Sequence, residues 1–231
     1  MAPSTVSATS SFDIPGIGPW MLDSGAFTEV TTHGGYRDGP EVYAAAVRRW
    51  ARCGELRAAV SQDYMCEPFA LRSTGLDILT HQRLTIERYD ALSALVGDAA
   101  YVLPVLQGYL PEHYAAHAAA YGARLAPGQW VGVGSVCKRN TSPREIAAVL
   151  RAIKQARPDL RLHGFGVKLS ALQSHEVRGL LHSADSMAWS LNARKNGRDG
   201  NSWREAQAFA DRVATPAPPA ELPMDDLWRA A

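Results

Sequence analysis

Short apolar runs alternate with longer segments of helical period along this 231-residue chain, and this alternation most constrains its fold. The runs end in glycine or small polar residues, as strands do when a helix follows each of them. Because the runs are apolar through most of their length, they indicate strands that are buried on both faces. The predicted strands are 20–23, 58–63, 101–107, 130–135, 162–167 and 180–185. The sequence therefore predicts an α/β fold with a parallel sheet.

The intervening segments carry helix boundaries as well as helical period. The predicted helices are 41–53, 78–96, 111–121, 143–156 and 203–213. Pro143 suits a first helical turn, and Ser142 before it is a residue that caps free backbone amides. In the first helix, the spacing predicts one buried face. That face would comprise Val42, Ala45, Ala46, Val47 and Trp50.

Six β/α units are visible, whereas a closed barrel of the TIM type has eight strands. Either the segment before Trp20 supplies further strands, or the barrel is abbreviated. The expected organisation is a flexible N-terminal segment over 1–12, a β/α barrel over 13–213 and a Pro-rich C-terminal tail over 214–231. The ends are assigned to tails because they are rich in Ser and Thr, or in Ala and Pro.

Composition excludes several classes of protein. The formal net charge is +1, so the chain is not a strong polyelectrolyte. No apolar stretch is long enough to span a bilayer, and the N-terminus lacks the features of a signal peptide, so we expect a cytoplasmic protein with no membrane partner. The cysteines Cys53, Cys66 and Cys137 have no C-x-x-C spacing, so we expect no metal site and no cofactor.

One segment of the chain is strongly basic. Residues 138–168 carry eight basic and only two acidic side chains. Such a patch can bind phosphates, or it can be the solvated face of a helix. The spacing leaves both interpretations open.

Polar residues gather where the predicted strands end. Asp23, Asp63 and Asp185 lie there, and Gln107 follows a fourth strand. In parallel α/β folds, ligands bind at the edge formed by the carboxyl ends of the strands. Three carboxyl groups at one edge indicate acid/base or glycosyl chemistry.

The strand ends carry a series of motifs: LDSGAF, QDYMCEP, VLQGY, VGVGSV, LHGFGVK and SADSMAWS. In order and spacing, this series resembles the tRNA-guanine transglycosylase superfamily, and most closely its DpdA-like branch. The resemblance covers about residues 19–195. It implies a TIM barrel that exchanges guanine in DNA for a 7-deazaguanine base, such as 7-cyano-7-deazaguanine, through a covalent glycosyl-enzyme.

The resemblance also implies roles for individual residues. Asp185 matches the nucleophile that attacks C1′ of the sugar. Asp23 matches the residue that moves a proton to and from the purine. Asp63 matches the acceptor for N1–H and the exocyclic amine of guanine, a donor pair that adenine lacks.

Further positions surround the base or the nucleic acid in the family pattern. Gln107 and the backbone amides near Gly132 and Gly134 would face O6 of the base. The other implied base-site residues are Ser24, Gly25, Phe27 and Phe165, with the two phenylalanines stacking on the base. The implied nucleic-acid contacts are Lys138, Arg139 and Arg194.

The chain departs from the tRNA-acting relatives in one respect: no cysteine follows Asp185, so their zinc subdomain is not expected. This favours DNA as the polymer, with a homodimer as one arrangement of the protein. The alternatives are a tRNA-guanine transglycosylase, an enzyme that acts on free nucleosides, and a catalytically silent nucleic-acid-binding barrel. Three neighbouring carboxylates argue against the silent barrel, since they would repel one another and the phosphates.

Overall fold

Eight parallel strands carry the fold in the computed structural model, which describes residues 4–7, 18–136 and 142–215. The strands are β1 (Ser4–Ser7), β2 (Pro19–Asp23), β3 (Glu55–Val60), β4 (Val102–Leu103), β5 (Val105–Leu106), β6 (Trp130–Val133), β7 (Arg161–Gly164) and β8 (Ser183–Ala184). They form two sheets, with the orders β1-β2-β3-β4 and β5-β6-β7-β8, and every pair is parallel. The predicted α/β class with parallel strands is confirmed.

The two sheets meet where Pro104 separates β4 from β5. Proline has no N–H to donate to a neighbouring strand, so the ladder is interrupted there. The Pro104 carbonyl still accepts a hydrogen bond of 2.8 Å from the Gly132 N–H of β6. The segment 102–106 therefore links the sheets, and the strands continue in chain order across it.

A closed barrel of the TIM type is not found among the described residues. There, β1 and β8 each pair on one side only. Counting β4 and β5 as one broken strand leaves seven positions, one fewer than a closed barrel needs. β1 itself lies within the segment predicted to be flexible. Its Ser/Thr-rich composition did not predict a strand, because β1 is formed by backbone pairing with β2.

Ten α-helices lie in the described residues. They are α1 (Ala26–His33), α2 (Pro40–Trp50), α3 (Pro68–Thr74), α4 (Ile78–Val96), α5 (Pro111–Tyr121), α6 (Pro143–Ala156), α7 (Leu169–Leu172), α8 (His175–Leu180), α9 (Ala188–Lys195) and α10 (Trp203–Ala214). The predicted bounds of α4, α5 and α6 are confirmed. At the start of α6, the Ser142 side chain accepts a hydrogen bond from the Glu145 N–H, as a cap should. Within the described ranges, no helix combines the length and hydropathy that crossing a bilayer requires.

Five of the six predicted strands were wrong in extent. The strand over 101–107 is broken at Pro104, and β6 and β7 end at Val133 and Gly164. The other two cases concern site residues. β3 ends at Val60, so Asp63 lies in the loop after the strand and not in it. The segment predicted as a strand over 180–185 contains only the two residues of β8, because α8 occupies the chain up to Leu180. In both cases the polar residue at the strand end keeps its place at the carboxyl edge.

The buried face of α2 also differs from the prediction. Tyr43, Ala44, Val47 and Trp50 are buried, whereas Val42 is 58% exposed. The Tyr43 hydroxyl donates a hydrogen bond of 2.9 Å to the Val60 carbonyl, which turns this side of the helix toward the sheet. The hydrogen bond of Tyr43 therefore determines which face of α2 is buried, and the spacing of apolar residues alone did not predict this.

Alternate residues of the strands contribute to different apolar clusters. Trp20 and Leu22 of β2 pack with Val47 and Trp50 of α2, whereas Met21 packs on the other side with residues of β3, β4 and β5. Both faces of the strands are thus buried, as their apolar sequences indicate.

The largest cluster lies between the second sheet and its helices. Ile146, Leu150 and Ile153 of α6 are fully buried there against strands β5, β6 and β7 and helices α5 and α8. Removing buried methyl groups loses apolar burial and leaves a cavity. α6 therefore stabilises the half of the sheet that carries Gln107, Gly134 and His163.

We expect Leu150→Ala to lower the free energy of unfolding by about 2–5 kcal/mol, because Leu150 has no exposed surface. The matched control is Val42→Ala on the exposed side of α2, which should change it by no more than about 0.5 kcal/mol. Urea denaturation of the three proteins measures both values. Equal effects of the two substitutions would contradict this packing.

Candidate active site

Polar side chains from five strand ends lie at one edge of the sheets. Asp23 ends β2, Asp63 follows β3, Gln107 follows β5, Ser135 follows β6 and Asp185 follows β8. Parallel strands place their carboxyl ends at the same edge, which is where ligands bind in such folds. The electrostatic influence of Asp185 on Asp23, and of Asp23 on Asp63, shows that the three carboxyl groups are neighbours.

Asp23 lies at the solvent-accessible rim of this edge. The Ser24 N–H donates to its Oδ1 at 2.9 Å. The pKa of Asp23 is raised above its ordinary value, first because surrounding protein displaces water and second because Asp185 is negatively charged nearby. Solvent contact and a raised pKa are compatible, since a carboxyl group at this rim can touch water on one side while protein surrounds it on the others. Asp23 can therefore both hold and release a proton.

Asp185 is held by the backbone of the neighbouring strand end. The Gly166 N–H donates to its Oδ1 at 2.9 Å, and its own N–H and carbonyl bond to Gly164 and Val167. The side chain retains 26% exposure. Its carboxylate is thus fixed in direction while one side remains accessible to a substrate.

His163 lies directly behind Asp185. Its Nε2 is 3.4 Å from Asp185 Oδ1, and its ring is fully buried. Its Nδ1 contacts Ser183 Oγ at 2.9 Å, and that oxygen also accepts a hydrogen bond from Trp130 Nε1 at 3.0 Å. Nε2 has no hydrogen-bond partner among the described residues, so its approach to Asp185 is a close contact and not a hydrogen bond. The structure thus places His163, from the motif LHGFGVK, beside the Asp185 carboxylate.

Asp63 lies in the buried part of the site, only 6% exposed. Its Oδ2 accepts a short hydrogen bond from Gln107 Nε2. Burial raises the pKa of Asp63 to about 7, although the Gln107 hydrogen bond opposes the rise; the charges of Asp23 and Glu67 add to it. Asp63 therefore changes charge near neutral pH.

Gln107 is held through its backbone as well as its side chain. Its N–H donates to His117 Nδ1 at 2.9 Å, and its carbonyl accepts from Gln82 Nε2 at 2.7 Å. His117 Nε2 contacts the Gln82 carbonyl at 3.1 Å. Burial lowers the pKa of His117 to about 4, so the ring is neutral and can accept on one nitrogen while donating from the other. Gln82 and His117 were missed because nothing local in their helices marks them.

Ser135 and Glu67 extend this buried network. Ser135 Oγ lies 2.7 Å from Gln107 Oε1 and 2.6 Å from Glu67 Oε2, and it accepts a hydrogen bond from the Cys66 N–H at 3.1 Å. Among the described residues other than glycine, Ser135 alone has a positive φ, 56°. That conformation costs about 1–2 kcal/mol. Both residues stand in the motifs QDYMCEP and VGVGSV, but their contact spans 68 positions of sequence and could not be read from either motif.

The glycines of VGVGSV make room for side chains and do not present free amides. The N–H groups of Gly132 and Gly134 donate to the carbonyls of Pro104 and Leu106 within the sheet. A Cβ atom at Gly134 would collide with the Gln107 side chain, and one at Gly132 with the Phe165 ring. Strand pairing therefore uses the N–H groups of Gly132 and Gly134 themselves, and the prediction that amides near them face O6 of a base stays a prediction.

The two phenylalanines have different neighbours. Phe27 on α1 is 55% exposed and lies 6.0 Å from the Phe69 ring, centroid to centroid. Phe165 lies 4.8 Å from the His163 ring in an edge-on arrangement. Beside Asp23, Gly25 adopts a left-handed φ of 74° before α1, and Ser24 is buried with a hydroxyl that has no hydrogen-bond partner in the described part of the chain.

The predicted phosphate contacts divide into two groups. Lys138 and Arg139 lie outside the described residues. Elsewhere in the basic segment, side chains bond within the protein: Arg151 to Glu176, Arg157 to Asp159, Lys154 to the Leu160 carbonyl and Arg161 to the Gly128 carbonyl. These contacts favour a structural role for much of the segment 138–168.

Arg194 lies in a groove of about 1060 Å³ formed by α7, α9 and α10. Gly166 and Ser186 also line the groove, so it opens beside Asp185. The charged side chains along it are Lys168, Arg194, Lys195, Arg198, Glu205 and Arg212. Trp189 and Phe209 add aromatic surface. A groove with this charge and these rings suits a nucleic-acid strand.

No group of three or more His, Cys, Asp or Glu side chains within the described ranges is arranged to hold a metal ion. The described cysteines, Cys53 and Cys66, are free thiols. Burial raises the pKa of the Cys66 thiol well above its ordinary value, so it is protonated. The described side chains at the edge include carboxyl groups, a histidine and an amide.

The model of the family "DpdA: DeoxyPurine in DNA protein A" matches residues 12–206. The chain belongs to the DpdA family. The match includes the whole edge from Asp23 to Asp185 and most of the groove. Membership indicates a DNA-modifying transglycosylase, with DNA as its substrate. No curated protein sequence matches this DpdA chain.

The raised pKa of Asp63 predicts a pH-dependent stability. Because folding raises this pKa from 3.8 to about 7, Asp63 favours the folded state most below pH 4, and this contribution is lost as pH rises through 7. Asp63→Asn removes the ionisable group. We expect the free energy of unfolding of the wild type, relative to Asp63→Asn, to fall between pH 4 and pH 8 in urea titrations. A difference that does not vary with pH would refute the assignment.

Proposed function

We propose that this protein exchanges guanine in DNA for a 7-deazaguanine base, such as 7-cyano-7-deazaguanine, by two displacements at C1′. The observation that carries the proposal is the pair formed by Asp185 and Asp23. One carboxylate is fixed by a backbone N–H and reaches solvent, and the other has a raised pKa beside it. A nucleophile and a proton carrier are the two groups that such an exchange needs.

In the first step, an Asp185 oxygen forms a bond to C1′ while the bond from C1′ to N9 of guanine breaks. The electron pair of that bond stays with guanine, and Asp23 supplies the proton that neutralises the departing base. In the second step, Asp23 takes the proton from the ring nitrogen of the 7-deazaguanine. That nitrogen attacks C1′ and releases Asp185. Two inversions give net retention at the sugar.

Asp63 would select the base. As a carboxylate it accepts hydrogen bonds from N1–H and the exocyclic amine of guanine, while Gln107 steadies it from behind. An adenine would leave this buried acceptor unpaired, which costs about 1–3 kcal/mol. Phe165 and Phe27 are proposed to contact the extruded base. The base must leave the duplex stack to reach this edge, which costs a few kcal/mol.

The groove of α7, α9 and α10 would hold the DNA strand next to the target. It begins beside Asp185 and presents Arg194, Lys195 and Arg212. This position supports a polymer substrate over a free nucleoside, since a nucleoside bound at Asp185 would not extend along the groove. The β/α segment over 13–213, to which β1 adds a strand, stays the proposed catalytic unit.

We expect Asp185→Asn to abolish base exchange and Asp23→Asn to slow it by about 10²–10⁴-fold, because proton transfer contributes about that factor. The assay incubates duplex DNA or tRNA with labelled guanine or 7-cyano-7-deazaguanine and identifies the modified nucleoside by mass after digestion. Asp98→Asn, an exposed carboxyl outside the edge, is the control for charge and should retain activity. Modification of tRNA alone would refute DNA as the polymer, and turnover by Asp185→Asn would remove it as nucleophile.

The groove predicts the salt dependence of DNA binding. Each phosphate contact contributes about −0.9 to the slope of log affinity against log salt, so Lys195→Ala and Arg212→Ala should each flatten the slope by about one unit. Arg83→Ala removes an equal charge from an ion pair with Glu87 on α4 and should leave the slope unchanged. If all three variants keep the wild-type slope, DNA does not follow this groove.

A further inference from the structure

Four buried polar side chains form a continuous chain behind the base-selecting edge. Asp63, Gln107, Ser135 and Glu67 are each no more than 6% exposed. The links are Asp63 to Gln107, Gln107 to Ser135 and Ser135 to Glu67. A carboxyl group therefore stands at each end of the chain, and the proposed exchange reaction uses only one of them.

The number of hydrogens available in this chain is too small if both carboxyl groups are ionised. Ser135 Oγ lies within hydrogen-bond distance of two oxygens, Gln107 Oε1 at 2.7 Å and Glu67 Oε2 at 2.6 Å. Two such contacts need two hydrogens, and a serine hydroxyl has one. Gln107 Oε1 carries no hydrogen. With the Gln107 amide in this orientation, the second hydrogen comes from a protonated Glu67.

With that proton in place, every group in the chain is satisfied. Gln107 donates its amide hydrogen to Asp63, and Ser135 donates to Gln107 Oε1. Ser135 Oγ then accepts from Glu67 and from the Cys66 N–H, which uses both of its lone pairs. Asp63, as the remaining acceptor, is ionised.

Reversing the Gln107 amide gives the opposite arrangement. Its nitrogen would then donate to Ser135, whose hydroxyl would donate to an ionised Glu67. Gln107 Oε1 would face Asp63, and Asp63 would have to carry the proton. Either orientation satisfies the chain with one proton for the two carboxyl groups, and neither allows both to be charged.

We propose that Asp63 and Glu67 share a single proton, and that Glu67 holds it when Asp63 accepts a guanine-like base. Glu67 is thus a specificity-determining residue that acts on the base through Asp63. The selectivity consequence rests on the proposed function, whereas the shared proton rests on the hydrogen count alone.

Most of the ionisable groups around the pair are neutral near pH 7, whereas the charge of Asp23 also acts on Asp63. The ionisable groups that face it from the packed elements are Asp23, Tyr36, Tyr43, Cys66, His81, His117 and Tyr121, and Arg88 donates to the adjacent Gln62. Burial raises the pKa values of the three tyrosines and Cys66 and lowers those of the two histidines, so these six groups are neutral near pH 7. The pKa of Asp63 is itself raised in part by the charge of Glu67.

Infrared spectroscopy of the whole protein at pH 7.5 tests the shared proton directly. A protonated carboxylic acid has a carbonyl stretch distinct from those of carboxylates and amides. We expect one such band in the wild type, its loss in Glu67→Gln and its retention in Glu112→Gln, an exposed glutamate on α5. Absence of the band from the wild type, or its persistence in Glu67→Gln, would overturn the proposal.

A second route needs no substitution, in case Glu67→Gln does not fold. Glutamate labelled with carbon-13 at its carboxyl carbon should shift the band, and aspartate labelled in the same way should not. A band that follows only the aspartate label would place the proton on Asp63 in the free protein and overturn the assignment to Glu67.

Guanine binding distinguishes the shared proton from the proposed function. In the wild type, guanine affinity should fall as pH decreases through 7, because Asp63 gains the proton. In Glu67→Gln, the amide supplies the hydrogen to Ser135 as a protonated Glu67 does, and no charge is lost, so the midpoint should stay at its wild-type pH. A midpoint that moves to lower pH would show that Glu67 is charged while Asp63 titrates, and it would overturn the proposal. If no variant binds guanine while the infrared band behaves as expected, the proposed function fails and the shared proton stands.

Discussion

The Gln107 side chain connects the ends of strands that belong to different sheets. Its amide bonds to Asp63 after β3 and contacts Ser135 after β6, while Gln82 and His117 fix its backbone. All of these groups are buried, and leaving one of them unpaired would cost about 1–3 kcal/mol. The interruption at Pro104 breaks the ladder three residues before Gln107. The side-chain network therefore holds together an edge that backbone pairing alone holds less firmly.

The need to keep this buried network hydrogen-bonded also explains residues whose role is not evident from the local sequence. Gly134 leaves space for the Gln107 side chain, and Ser135 adopts a left-handed conformation that aims its hydroxyl at Gln107 and Glu67. Each of these features is unfavourable in a strand end considered by itself. Together they place the polar network near the break between the two sheets, and this explains why a motif of small residues follows β6.

Periodicity and caps predicted the longer helices well, but they missed α1, α3, α7, α8 and α9 among the described residues and predicted the strands less well. The bounds of α4, α5 and α6 follow from local features, such as the Ser142 cap and the first-turn prolines. The buried face of α2 depended on a hydrogen bond from Tyr43 to a strand, and β1 depended on backbone pairing with β2. The carboxyl groups of the edge were predictable because strand ends converge. Glu67 and His163 acquire their roles from contacts across distant segments, which a local pattern does not encode.

The site contains three aspartates in three different environments, and each environment gives its aspartate a different chemical role. Asp23 contacts solvent beside another carboxylate, so it can exchange a proton with a base and with water. Asp185 is directed by the Gly166 N–H and backed by the buried His163, an arrangement that favours a carboxylate kept in one orientation. Asp63 is enclosed and linked to a second carboxyl group, so its charge depends on its partner. When their surroundings give two carboxyl groups different pKa values, one can act as an acid and the other as a base at the same pH. Here the wet rim and the dry interior of a single sheet edge supply that difference.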